Sequence, residues 1–256
     1  MTDDSPVLSE PRGRVLLITL NRPDARNAVN RPLGDALAQV LESLDGDDGL
    51  SVGVLTGAGR GFSAGMALKA FVEGGMPNVP GRGFAGIVER SCTKPLIAAV
   101  EGFALAGGLE IALACDLLVA SKGSRLGIPE TGVGLFAAAG ALLRLPRHLG
   151  MNVAMEMALT ADPITAERGY ELGLVNRLTE AGGAVDAAME LAERIARNAP
   201  LSLAASKRVL RESWGMTDEA FWPYQQPVLR EVFASSDAIE GATAFAEKRS
   251  PNWQGK

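Results

Sequence analysis

The stretch "GFALAGGLEIALACD", residues 102–116, is small and apolar until Glu110 interrupts it and Asp116 ends it. A carboxylate stripped of water and left unpaired costs several kcal/mol, about the net stability of a whole domain. Glu110 therefore either sits at a helix end, where that cost is small, or is kept for chemistry. "PLIAAVEG" (95–102) precedes the stretch and "DLLVAS" (116–121) closes it. Both read as strands, with the Glu110 segment as a short helix between them. "RVLLITL" (14–20) and "SVGVLTG" (51–57) read as two more strands, separated by a helical stretch from about Pro32 to Leu44. Strands alternating with helices predict an α/β fold with parallel pairing.

Further along, the density of Gly and Pro in "EGGMPNVPGRG" (73–83) predicts a mobile surface loop. From about Asn152 the chain turns helical, with little strand signal. "AVDAAMELAERIAR" (184–197), "LSLAASKRVLRES" (201–213) and "SDAIEGATAFAEKR" (236–249) carry the clearest 3.6-residue period. No repeat, low-complexity tract or linker divides the 256 residues, so one α/β domain with a helical C-terminal appendage is expected.

Composition excludes several functions. The net charge is −5 and no run of Lys or Arg exceeds two residues, which argues against nucleic acid or an anionic membrane as partner. No apolar stretch is long and clean enough to span a bilayer. The N-terminal "MTDDSPVLSEPRGR" is acidic and lacks the apolar stretch of a signal peptide, so a cytoplasmic, reduced protein is expected. Cys92 and Cys115 lie in apolar surroundings and read as buried thiols. With His148 as the single histidine, a His-rich metal site is out of reach.

Three short motifs match catalytic or cofactor patterns, and each has a plainer explanation. "GFSAG" (61–65) fits the G-x-S-x-G of a serine hydrolase, and Ser63, Asp116 and His148 fall in the order of its triad. His148, however, sits in "RLPRHLGMN", which reads as the start of a helix and not as a loop after a last strand. "SCTK" (91–94) lacks its companion motifs, and no strand leads straight into "GVGLFA" (132–137).

Glu110 and Glu130 remain. Singly, each reads as a first-turn residue favoured by the helix dipole. Their surroundings change the reading. "FSAGMALKAF" (62–71) and "LAGGLE" (105–110) each place small residues after a strand, where backbone N–H groups can face a ligand. Two such junctions side by side form an oxyanion hole with two carboxylates close by.

With these residues in view, the chain resembles the crotonase, or enoyl-CoA hydratase/isomerase, superfamily. The resemblance runs through "NRPDARNA" (21–28), "GRGFSAGMALKAF" (59–71), "KPLIAAVEGFALAGGLEIALACDLLVAS" (94–121), "IPETGVGLFAAAGALLRLPRHLG" (128–150), "AERGYELGLVNRL" (166–178) and "FAEKRSPNW" (245–253). It implies a spiral of ββα turns over residues 1–198 and a helical oligomerisation region over 199–256, assembled as a homotrimer or a dimer of trimers. It implies reversible syn addition of water to a 2-enoyl-CoA thioester. Coenzyme A enters as part of the substrate, with no separate cofactor and no metal. Glu110 and Glu130 match the two catalytic glutamates, and the backbone N–H groups of Met66 and Gly107 match the oxyanion donors. Arg26, Ala64, Leu68, Lys69, Phe245 and Lys248 fall where the family meets coenzyme A, the last two across a subunit boundary.

Two departures stand out: Ala67, where the family usually has Asp, and the run Ala137–Ala139 in place of a glycine-rich turn. An alanine keeps the N–H donor but resists positive φ, so a changed turn is expected there. "GRGFAG" (81–86) and the C-terminal 21 residues look closest to the crotonobetainyl-CoA hydratase (carnitinyl-CoA dehydratase) branch. An enoyl-CoA isomerase, a thioester hydrolase or a non-catalytic acyl-CoA-binding protein are the alternatives.

Overall fold

The computed structural model describes residues 5–67, 72, 77–90 and 92–256. Leu68, Lys69 and the first part of the 73–83 stretch lie outside the described residues. In chain order the strands are β1 (Val7–Arg12), β2 (Val15–Leu20), β3 (Val52–Gly57), β4 (Asn78–Val79), β5 (Gly83–Phe84), β6 (Leu96–Val100), β7 (Phe103–Leu105), β8 (Leu117–Ser121), β9 (Arg125–Gly127), β10 (Ile164–Thr165) and β11 (Arg177–Thr179). The helices are α1 (Arg31–Gly46), α2 (Gly107–Ala114), α3 (Ala141–Leu149), α4 (Met151–Thr160), α5 (Ala166–Glu171), α6 (Ala184–Ala196), α7 (Pro200–Glu212), α8 (Asp218–Phe233) and α9 (Ser236–Glu247).

A six-stranded sheet in the order β1-β2-β3-β6-β8-β11 forms the first layer. Every pairing from β2 onward is parallel, and β1 runs antiparallel at the edge. Alternation along β2 divides its side chains between two cores: Val15 and Leu17 face α6, while Leu16 and Ile18 face the opposite side with α1 and α2. Both faces are covered, which is why β3 and β6 read as nearly unbroken apolar runs.

The second layer positions the site. After β6 the chain steps into β7 and then α2; after β8 it steps into β9, which pairs parallel with β7. Isolated parallel bridges Ser63↔Ala104 and Val29↔Met66 extend this layer to two earlier loops. Successive strand-to-helix junctions are thereby laid edge to edge. All eight residues of α2 are buried, so its apolar sequence packs on every side.

Several sequence expectations need correction. Residues 78–84 form a short hairpin, β4 against β5, with Gly81 in the left-handed region. Strand β11 closes the parallel sheet inside the region read as helical. His148 falls near the C-terminal end of α3, with α4 beginning at Met151. The reading of Cys92 and Cys115 as buried thiols holds: both are free and buried, and burial pushes the Cys92 thiol up to about 12.

Helices α7 to α9 bury little. No residue of α7 is fully buried and only Val228 of α8 is, while Leu210, Phe233, Ile239 and Phe245 are exposed. Lys207 and Arg211 of α7 tie it to the core through ion pairs with Asp116 at 2.7 and 2.8 Å. Among the described residues, no helix is long and apolar enough to cross a membrane.

Candidate active site

The loop at 61–67 is built around a buried asparagine. Asn27 is fully buried; its side-chain amide donates to the Ala58 and Gly61 carbonyls, and its Oδ1 accepts from the Arg22 amide. Ser63 is also fully buried, donating to the Asn27 carbonyl at 2.9 Å and accepting from the Gly65 amide at 3.1 Å. Asp116, for its part, is held by Lys207, Arg211 and the Leu96 amide. The triad arrangement is therefore absent: Ser63 is a strut of the loop and Asp116 an anchor for α7.

What the loop presents is backbone. Gly65 has φ 87°, and a Cβ built on it would lie 2.7 Å from the Gly107 nitrogen. The two junctions touch through glycine because nothing larger fits. Gly107 opens α2, so its N–H has no intrahelical acceptor. The Met66 amide likewise donates to no backbone carbonyl among the described residues, although its neighbours Gly65 and Ala67 are both bonded to Val29. Ala106 holds the turn between them at φ 52°, ψ −131°, a conformation that costs a residue with a Cβ on the order of 1–3 kcal/mol. Its amide bonds to the Gly127 carbonyl, and its own carbonyl accepts from Leu109 and Glu110, which fixes the direction of the Gly107 N–H.

Glu110 lies one turn into α2 and is 3% exposed. Its Oε1 accepts from the Ala139 amide at 2.7 Å and the Ala141 amide at 3.1 Å. Burial moves its pKa up, opposed by those two amides and by the Arg144 guanidinium. The alanine run does not disturb this turn: the left-handed residue is Gly140, at φ 102°, while Ala137, Ala138 and Ala139 all keep negative φ. Sequence reading missed Arg144, which donates to the Val88 carbonyl at 2.5 Å and the Ala139 carbonyl at 3.4 Å. The φ of Gly140 is what calls for a glycine, and a Cβ there would also push the Arg144 guanidinium aside.

Glu130 is the second residue of the short 3-10 segment Pro129–Val133. Its Oε2 is buried without a hydrogen-bond partner. Desolvation, with a smaller push from the Glu110 charge, raises its pKa to about 7. The two carboxyls are near enough to interact, and their surroundings separate them.

Arg26 is exposed, with φ 53°, and its carbonyl accepts from the Ala64 amide at 3.0 Å. Those two candidates are brought together. Phe245 and Lys248 are not brought to them: Phe245 is on α9 and 89% exposed, and Lys248 is the left-handed cap of that helix.

The chain matches the family described as Enoyl-CoA hydratase/isomerase over residues 10–256. It is 39% identical over 253 residues to a carnitinyl-CoA dehydratase of Proteus mirabilis (strain HI4320), covering 96% of this chain and 97% of that one. It is 37% identical over 254 residues to a 2,3-dehydroadipyl-CoA hydratase of Escherichia coli (strain K12), covering 98% and 100%. An enoyl-CoA hydratase structure from Mycobacterium tuberculosis H37Rv superposes with a TM-score of 0.96 at 54% identity, covering 99% and 100%.

Proposed function

The chain belongs to the enoyl-CoA hydratase/isomerase family, and from that premise we propose that it adds water reversibly across the C2–C3 bond of a 2-enoyl-CoA thioester. One observation carries the reading: two interacting carboxyls, one bonded to backbone amides and the other with an unpartnered buried oxygen, in a fold whose Met66 and Gly107 N–H groups meet no acceptor among the described residues.

Water attacks C3 while negative charge builds on the thioester oxygen. The Met66 and Gly107 amides receive that oxyanion, each contributing roughly 3–4 kcal/mol by analogy with other oxyanion holes. Glu110, kept ionisable by two amides and Arg144, orients the water and takes its proton. Glu130, protonated near neutral pH because of its apolar setting, delivers a proton to C2. The exposed Arg26, next to Ala64, is our candidate for a coenzyme A phosphate contact, as is Lys69. Ala64 and Leu68 would line the adenine end.

The uncovered apolar side chains of α7 to α9 support the C-terminal region, residues 199–256, as the oligomerisation surface, with Phe245 and Lys248 completing a neighbour's coenzyme A site. Light scattering should give three or six chains of 26.7 kDa. The direct test follows absorbance at the enoyl-thioester band with crotonyl-CoA. We expect it to fall with turnover; a protein that binds the thioester but leaves the band unchanged sinks the hydratase reading.

A further inference from the structure

Beside Glu130 lies a cavity of about 330 Å³ between the 3-10 segment, α3 and α4, walled by Ile128, Phe136, Leu145, Met151, Met155 and Leu159. Among its described lining residues, the polar side chains are Glu130 and Thr131, and the Thr131 hydroxyl is committed to the Ala158 carbonyl at 2.9 Å. Glu130 lines this space, and its buried Oε2 has no hydrogen-bond partner among the described residues. We propose that the cavity is the acyl subsite, and that it takes an uncharged hydrocarbon tail and rejects acyl groups with a charged terminus. The proposal rests on the hydratase reading above, because that reading puts the reacting carbons at Glu130.

The argument runs through what each kind of tail would meet. A terminal carboxylate would lie against apolar walls that offer no Lys, Arg or His among the described lining residues. Burying a charge without a partner is among the costliest changes a site can undergo. A quaternary ammonium needs aromatic faces within about 6 Å. Here the lining supplies one ring, Phe136, itself 66% exposed. A cation so close to Glu130 would also favour its ionised form, whereas the proton donated to C2 must first be held there. A hydrocarbon meets neither objection. Two flexible thioethers, Met151 and Met155, allow the walls to adapt to its length and branching.

Two matched pairs of substrates isolate charge from size. The first is 2-hexenoyl-CoA against 2,3-dehydroadipyl-CoA. The second is 5,5-dimethyl-2-hexenoyl-CoA against crotonobetainyl-CoA, which differ by a quaternary carbon in place of the nitrogen. The neutral member of each pair should have kcat/KM higher by about a hundredfold, the scale at which a site rejects a group it cannot satisfy. Met155→Arg, at a half-exposed position that tolerates the longer side chain, should narrow the first ratio by about tenfold by supplying the missing cation. A charged member turned over as well as its neutral partner overturns the proposal. So does a Met155→Arg protein whose assembly mass changes while its selectivity does not, since the cavity would then be a subunit contact. Calorimetric binding of hexanoyl-CoA and adipyl-CoA, which lack the double bond, separates this inference from the reaction. If no enoyl-CoA is hydrated but hexanoyl-CoA still binds far tighter, the hydratase reading falls and the subsite stands; equal binding removes the subsite.

Discussion

Glu110 sits on a helix buried along its whole length, with one oxygen bonded to amides on both sides of Gly140 and a guanidinium close behind. Glu130 sits on a short 3-10 segment, with a buried oxygen that meets no donor and an apolar cavity in front of it. The residue type is the same and burial raises the pKa of both, but Glu110 has two amides and a guanidinium to oppose that rise. Donors and positive charge favour the ionised carboxylate; an apolar wall and a nearby like charge favour the protonated acid. On the mechanism we propose, it is what the fold places behind each carboxyl that makes one the base and the other the acid.

The harshest way to break this comparison is to remove the charge from each. Glu110→Gln and Glu130→Gln should each lower kcat by about 10²–10⁴-fold, the usual cost of losing a general acid or base, with KM little changed. Their pH profiles should differ. In the wild type, kcat for hydration should fall as pH rises through about 7, where Glu130 loses its proton. The residual activity of Glu130→Gln should lack that limb, and Glu110→Gln should keep it. Identical profiles for the two variants would mean that the surroundings do not divide the roles.

Arg144 sharpens the same comparison from behind Glu110. Arg144→Met removes a positive charge that lowers the Glu110 pKa and frees the 139–141 turn. Glu110 must be ionised to act as base, so the limb on which activity falls with decreasing pH should move to higher pH. A drop in kcat on the order of tenfold should accompany it. Arg144→Lys should restore part of the limb's position, since it returns the charge. A variant that loses stability but keeps its pH profile would reduce Arg144 to a packing role.

How much of this could be read in the sequence follows from the range of the interactions. The parallel strands were legible because β3 and β6 are covered on both faces and so carry unbroken apolar runs. Glu110 was legible because it interrupts such a run. Strands β10 and β11 are only two and three residues long, with no fully buried residue to mark them. The β4–β5 hairpin hid behind its own turn residues. Arg144 was invisible for another reason: its strongest bond goes to a carbonyl 56 positions away, and nothing in "LLRLP" announces that. Asn27 reaches 31 and 34 positions to the carbonyls that it braces. Side chains that serve distant backbone leave no local pattern.

Ser63 offers a gentler test, set against the carboxyls as a polar group that supports the site without facing the substrate. Ser63→Ala loses two buried hydrogen bonds and should cost about 1–3 kcal/mol of stability, read by denaturant unfolding, with kcat within a few-fold of wild type. An inactive but folded Ser63→Ala protein would restore the hydrolase arrangement.

The smallest effect concerns stability at Glu130, and its sign is the informative part. The folded protein holds this proton up to about pH 7, whereas the unfolded chain releases it near the ordinary carboxylate value. Between those values the native state binds more protons than the unfolded state, so raising the pH through that window destabilises the fold. Above it the full cost remains, because an ionised Glu130 keeps a buried oxygen with no donor. Glutamine has nearly the same shape and cannot ionise. Glu130→Gln should therefore unfold at a higher temperature than wild type at pH 8, by an amount on the order of 1 kcal/mol once partial exposure to solvent is allowed for. At pH 4 the two melting temperatures should coincide. A variant that is more stable and nearly inactive would mean that the position is kept for chemistry at the expense of stability. If instead it melted lower at pH 8, the carboxylate would have a stabilising partner, and the contrast with Glu110 would lose its physical basis.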